Sequence, residues 1–314
     1  METTNTLVEK ALKSTLDRRS FLRRTGGGAA ALIGAGALLG AREASAQHTD
    51  NDNAILAFAL NLEYLEAEYY VHAVTGQGID QQPNTSVTGI GDPGAVVIKD
   101  NPKVNFKTSA IRQYAEEIAA DELAHVNFLR TTLRALGTEP IARPRVDLKN
   151  SFNTLAKAAG IADTFDPFRN EVNFLLGAFI FEDVGVTAFK GAAALIENKK
   201  VLTAAAGILV AESYHAAIIR TTLFRLAGND SSIIEKVQKI SDLRDALDPD
   251  DRGRNFDRDR GIVDANGDAD LFPSDANGLA FSRTTRQVLN IVYGAVNARG
   301  GLFFPTGLNG PINN

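Results

Sequence analysis

A chain that twice places a Glu and a His three residues apart, each time inside an apolar run, has few folds open to it. The two stretches are Asp121-Glu122-Leu123-Ala124-His125 and Ala211-Glu212-Ser213-Tyr214-His215. On a helix such residues are neighbours on one face, and the Ala-rich surroundings turn that face toward a core. Two further apolar helical runs each carry a carboxylate at a core position, Glu63 and Glu182. A Glu-x-x-His from each of two helices, with a lone Glu from each of two others, forms an inward ligand set in a four-helix bundle. The chain is therefore expected to be all-α, with Glu63, Glu122, His125, Glu182, Glu212 and His215 forming a metal cage. Glu66, one turn after Glu63, is the alternative to it.

Electrostatics supports a cage that contains cations. Four ionised carboxylates in a bundle core repel one another and lose hydration worth several kcal/mol per ion. Either their pKa values rise or cations sit between them. Two divalent ions cancel four carboxylates and leave both imidazoles neutral. Carboxylates that bridge hold such a pair roughly 3.5–4 Å apart. Carboxylate and imidazole ligands suit Fe or Mn, whereas Zn prefers a tetrahedral site. The expected cofactor is thus two divalent metal ions, Fe or Mn. A single Glu-x-x-His is common and is usually a surface pair; two copies in apolar helices, matched by two core Glu, carry more weight. Tyr70 lies two turns beyond Glu63 on the same face, near the metals or in the core with its hydroxyl bonded.

Hydrophobic periodicity predicts a first helix over 51–74, ended by Gly76 and Gly78. The segment 75–106, rich in Gly, Pro, Asn and Thr, is expected to cover one end of the bundle. A second helix follows over 108–136, with Gly137 as its cap and Glu116, Glu117, Arg130 and Arg134 on its solvated face. Residues 138–166 form a long crossover with a short helix near 152–159. Asp166-Pro167 then has the form of an N-cap and first-turn Pro, predicting a third long helix to Lys190. The fourth runs over 201–227 to Gly228. Residues 47–228 would be the bundle, and 229–314 a C-terminal extension packed on it. That extension contains a helix at 232–247, an Asp/Arg-rich stretch, and an amphipathic run at 284–298. Asp264–Asp270 resembles a calcium loop only loosely: the Gly and Glu of the EF-hand's sixth and twelfth positions are here Ala269 and Asp275, so a polar loop is expected.

The first 46 residues have a different character. Arg18-Arg19 precede Phe21-Leu22, a Gly/Ala/Leu run follows, and Ala44-Ser45-Ala46 has the form of a cleavage site. These features predict a twin-arginine (Tat) signal peptide, export to the periplasm or the extracellular space, and no membrane span once the leader is removed. Removal takes away seven Lys/Arg and four Asp/Glu, so the net charge moves from −5 to −8. An acidic chain without a basic tract argues against nucleic acid as a partner. With no Cys there is neither a disulfide nor a thiolate metal site.

Several strings resemble a known family. Asn61-Leu62-Glu63-Tyr64-Leu65-Glu66-Ala67-Glu68-Tyr69-Tyr70, Glu182-Asp183-Val184-Gly185-Val186-Thr187-Ala188 and Gly300-Gly301-Leu302-Phe303-Phe304-Pro305 are similar to those of desiccation-related proteins of the ferritin-like superfamily. The resemblance covers nearly all of residues 51–312. It implies a ferritin-like four-helix bundle with the six ligands named above, and a part in stress or oxidant defence. Three function classes follow. One is an oxidoreductase acting on peroxide or dioxygen, manganese-catalase-like or ferroxidase-like; the second is metal binding without turnover; the third is structural stress protection. A homo-oligomer is compatible with all three.

Overall fold

Long apolar runs without internal Pro become four long helices. The computed structural model describes residues 46–249 and 259–314. Residues 1–45 of the expected leader and residues 250–258 of the Asp/Arg-rich stretch lie outside the described residues. In chain order the helices are α1 (Ala46–Thr75), α2 (Ser109–Ala135), α3 (Asn150–Ala158), α4 (Glu171–Ala193), α5 (Lys199–Ala227), α6 (Ser232–Leu247) and α7 (Thr285–Tyr293). Two short strands, β1 (Val96–Val97) and β2 (Val146–Asp147), pair in parallel. The fold is an all-α helical bundle: α1 packs on α2, α4 packs on α5, and the crossover with α3 joins the two pairs. Buried Leu60, Tyr64, Leu129, Phe174, Phe179 and Leu223 belong to one continuous core between the helices.

Helix starts follow side-chain chemistry, and one start differs from expectation. Asp166 does not cap the third long helix. Its carboxylate accepts from Phe168 N at 2.9 Å and binds Lys99 Nζ at 2.5 Å, so it closes a turn instead. The helix begins after Asn170, whose side chain accepts from Asn173 N at 2.8 Å. Glu171 then reaches across to the start of α2, accepting from Lys107 N at 2.8 Å and Thr108 N at 2.9 Å. Asn198 caps α5 through Lys200 N at 2.9 Å. The amphipathic run near the C-terminus stops at Tyr293 because Gly294 turns left-handed at φ 72°.

The segment between α1 and α2 is stitched to the crossover. Ile90 N donates to Pro140 O at 2.9 Å, Gly94 N to Arg143 O at 2.9 Å, and Leu148 N to Val97 O at 2.7 Å. A side chain at Gly94 would collide with the Arg145 backbone, so the close approach requires glycine. Arg130 corrects an expectation. Far from facing solvent it is 2% exposed, donating to Thr88 O at 2.7 Å, to Ile141 O at 3.2 Å and to the Tyr64 hydroxyl. One guanidinium therefore ties this segment, the strap of residues 76–108, and the crossover to α1. Glu68 adds a second tie: buried, it binds Arg143 and accepts from Ile79 N at 3.2 Å.

Residues 259–314 pack on the bundle. Phe303 inserts beside Phe152 and Phe181, with ring centroids 5.3 and 4.9 Å away. Asn309 exchanges hydrogen bonds with Asn61 of α1, at 2.9 and 3.1 Å. A buried ion network holds the extension to α4: Asp183 meets Arg220 at 2.8 Å and Arg244 at 2.9 Å, and Arg244 meets Asp259 at 2.8 Å. Arg283 joins Asp248 at 2.6 Å and also binds Asp259. The Asp264 loop is a polar turn closed on itself, its carboxylate accepting from Asn266 N at 2.8 Å and Asp268 N at 2.9 Å. The same Asp-Ala-Asn-Gly turn recurs at Asp275.

By length and composition, α4 and α5 are long and apolar enough to cross a membrane. In α4 most of that apolar stretch, 83%, is buried inside the bundle.

Candidate metal centre

The four long helices each send carboxylates to one place. Glu63 comes from α1, Glu122 and His125 from α2, Glu182 from α4, and Glu212 and His215 from α5. Glu63, Glu122 and Glu212 are 0% exposed and Glu182 1%. Donor atoms of Glu63, Glu122, His125 and Glu212 lie within 4.8 Å of one another, as do those of Glu122, Glu182, Glu212 and His215. Glu122 and Glu212 belong to both groups. The arrangement is therefore two adjoining ligand sets with two shared carboxylates.

Distances show how the sets interlock. His125 Nδ1 lies 3.2 Å from Glu63 Oε2, 3.6 Å from Glu122 Oε2 and 3.7 Å from Glu212 Oε1. His215 Nδ1 lies 2.9 Å from Glu122 Oε1 and 3.5 Å from Glu182 Oε2. These contacts are close, yet they lack hydrogen-bond geometry. Both oxygens of Glu63, Glu122 and Glu212, Oε2 of Glu182, and Nδ1 of both histidines are buried without a hydrogen-bond partner. So many orphaned acceptors in one core would each cost about 1–3 kcal/mol or more. Lone pairs converging on shared space, and not on each other's protons, are what a bound cation needs. The residues present fit a pair of divalent ions.

Protonation tells the same story. Burial, then the negative Glu122, pushes Glu63 well above the ordinary carboxylate range. Glu66 and Glu212 rise for the same two reasons, and burial raises Glu182 as well. Glu122 goes the other way: burial works against its charge, but the His125 and His215 imidazoles overcome it and hold it low. Burial opposes charge on His215, but the negative Glu182 and the neighbouring Asp121 and Glu122 carboxylates raise it well above its usual value. Without cations the cage would balance itself with protons.

The surroundings orient the cage residues. The Tyr70 hydroxyl donates to Glu182 Oε1, placing this tyrosine beside the cage, as its spacing from Glu63 suggested. Asp121 Oδ2 lies 3.4 Å from His215 Nε2, the ring nitrogen facing away from the cage. A carboxylate on the outer nitrogen fixes the tautomer and ring angle of a ligating histidine. Asp121 had no assigned role in the sequence, because only the α2–α5 packing brings it to His215. Glu66 enters the site beside Glu63: Gly185 of α4 leaves room for Glu212 Oε2 and Glu66 Oε1, which a β-carbon there would meet. Tyr214 points to solvent, off the ligand face. His72 pairs with Glu68 at 3.3 Å instead of joining the cage.

A third acidic group, Asp245, Asp248 and Asp259, lies in the extension. Arg283 and Arg244 already neutralise it.

The family described as "Ferritin-like domain" matches residues 51–225, from the second turn of α1 to the last turn of α5. This chain belongs to the ferritin-like family. Among relatives of this ferritin-like chain is the "Desiccation-related protein PCC13-62" of Craterostigma plantagineum. It is 31% identical over 256 residues, covering 76% of each chain. The "Ferritin-like catalase Nec2" of Nesocodon mauritianus is 25% identical over 270 residues, covering 82% of this chain and 83% of its own. No solved structure shows a significant match.

Proposed function

We propose that this ferritin-like protein holds two Mn or Fe ions in the six-residue cage and uses them to disproportionate hydrogen peroxide. The observation that carries the reading is the sharing of Glu122 and Glu212 between two otherwise separate ligand sets. Bound there, redox-active ions would supply the two-electron exchange that converts two peroxide molecules to dioxygen and two waters. The chain's own residues would do the rest. Glu63 with His125, and Glu182 with His215, would hold the two ions, with Glu122 and Glu212 available to both. Tyr70 holds Glu182 by its Oε1 and Asp121 steadies His215 by its Nε2. Glu66, raised by burial and by Glu122 and Glu63, would keep a proton at the cage edge while its neighbours are ionised.

Small substrates suit the site. The His125 side chain retains 13% exposure and Asp121 16%, so the cage comes nearest solvent between α2 and α5, where peroxide or dioxygen would enter. The name of the Nec2 relative, a ferritin-like catalase, supports the same chemistry. The paired arginines and cleavage-like site of residues 1–46 support export by the Tat route, placing this activity in an envelope or extracellular oxidant defence.

A second reading, metal binding in stress protection without turnover, is favoured by the desiccation-related relative. One experiment separates them. The purified chain is reconstituted with Mn(II) or Fe(II) separately, then assayed for metal per chain and for oxygen released from peroxide. Oxygen evolution by metal-loaded protein is expected. Full loading without oxygen would leave only the second reading, and failure to bind either metal would overturn both.

A further inference from the structure

Away from the metal cage, a cavity of about 420 Å³ opens where the crossover, the loop before α4, the strap and α6 meet. Its size falls in the ordinary range for small-ligand pockets, roughly 300–1,000 Å³. Its charge is unusual for this chain. Lys99, Lys149, Arg169 and Lys236 line it, against the single carboxylate of Asp166, in a protein with net charge −5. Lys99 is engaged by Asp166 at 2.5 Å, and Lys236 Nζ donates to Ser232 Oγ at 3.0 Å. Among the described residues, no hydrogen bond or ion pair joins the Lys149 ammonium or the Arg169 guanidinium to the protein. Phe165, Phe168 and Leu176 supply an apolar side to the same cavity. Phe168 is rigidly set, buried and 5.4 Å from the Tyr69 ring.

We propose that this pocket binds a small organic anion, an apolar body bearing one carboxylate or phosphate. The head would be held by Lys149 and Arg169, whose charges are otherwise uncompensated, and the body would lie on Phe165, Phe168 and Leu176. Arginine and lysine together favour an oxyanion over a neutral polar group. A neutral ligand would leave Lys149 and Arg169 without a counter-charge.

Titration calorimetry on the purified chain tests this with benzoate, benzyl alcohol and inorganic phosphate as probes. Benzoate is expected to bind more tightly than benzyl alcohol, to weaken as salt is added, and to be displaced by phosphate. The K149A/R169A double variant should lower benzoate affinity by about tenfold or more. Both side chains are exposed, so this variant should melt at the wild-type temperature without ligand. Benzoate that does not bind, benzyl alcohol that binds equally well, phosphate that does not compete, or an unaffected double variant would each overturn the proposal. The metal content of the protein plays no part in the readout, so the outcome is independent of the cage.

Discussion

Glu122 Oε1 lies 2.9 Å from His215 Nδ1, closer than Glu122 Oε2 lies to His125 Nδ1 of its own helix, at 3.6 Å. Each oxygen of this carboxylate thus faces a different imidazole. The two Glu-x-x-His motifs do not form two independent sites; they interlock across the α2–α5 seam.

Stoichiometry should expose that interlock. Wild-type protein is expected to hold about two ions per chain, the number bridging carboxylates support. Glu63→Gln removes a ligand from one set only and should leave about one ion, since the Glu182 and His215 set remains. Glu122→Gln weakens both sets and should bring the content near zero. Elemental analysis of the two variants decides it: equal loss in both would mean that Glu122 is not shared.

Metal-free protein should lose stability as pH rises. Glu63, Glu66, Glu182 and Glu212 have folded pKa values above their unfolded ones, chiefly through burial, so the folded state binds more protons in that window. The raised His125 and His215 act with the same sign. The stability these groups contribute is therefore full below the ordinary carboxylate range and falls as pH climbs through their folded values. Glu122, held low, acts with the opposite sign, its share being lost only as pH falls into the acid range. Metal reverses the trend, because cations replace the protons and bind better as pH increases. Melting curves in chelator and in Mn(II) across mildly acid to alkaline pH should diverge upward; parallel curves would contradict the cage.

Tyr70 donates to Glu182 and so favours its charged form. Tyr70→Phe should raise the Glu182 pKa further and shift metal uptake to higher pH, with a stability loss of about 1–2 kcal/mol. Metal titrations at two pH values would show the displacement, whereas a mere packing role would leave the uptake profile in place.

Asp183 neighbours Glu182 in the chain but is turned away from the cage, into Arg220 and Arg244. The two arginines overcome burial and hold its carboxyl below the usual range. Asp183→Asn would leave the buried Arg220 without its counter-ion and Arg244 with Asp259 alone, at a cost of about 3–5 kcal/mol. Thermal or urea unfolding measures the loss, and α6 with the C-terminal segment should detach first.

What could be read from the sequence follows from locality. The meeting of these six side chains was legible because helical spacing alone puts Glu122 beside His125 and Glu212 beside His215, and because Glu63 and Glu182 interrupt apolar runs. The ends of α5 and α6 were legible for the same reason. Asp121, Glu68 and Arg130 were not: their partners lie 94, 75 and 66 residues away in His215, Arg143 and Tyr64, and no local pattern marks such pairings. Arg130 shares a surface helix with ordinary solvated charges, so only the burial of its guanidinium against Thr88 and Ile141 distinguishes it. Asp166-Pro167 misled because a capping signature states what a residue can accept, not which amide takes it.

Gly185 provides the most selective probe of the cage, because it is itself no ligand. In a helix interior Ala is favoured over Gly by roughly 0.5–1 kcal/mol, so propensity alone makes Gly185→Ala stabilising. Here the added methyl would meet Glu212 Oε2, and Glu66 Oε1 would lie 3.4 Å from it. Something must shift, and the movable partner is the shared Glu212 carboxylate, since α4 is packed tightly on α5. The expected variant keeps its helical content yet binds less of both metals, with metal-free melting unchanged or slightly raised. Calorimetric metal titration alongside circular dichroism separates the two effects. A variant that loads metal like the wild type would show that Glu212 does not need that space, and would remove it from the bridging position.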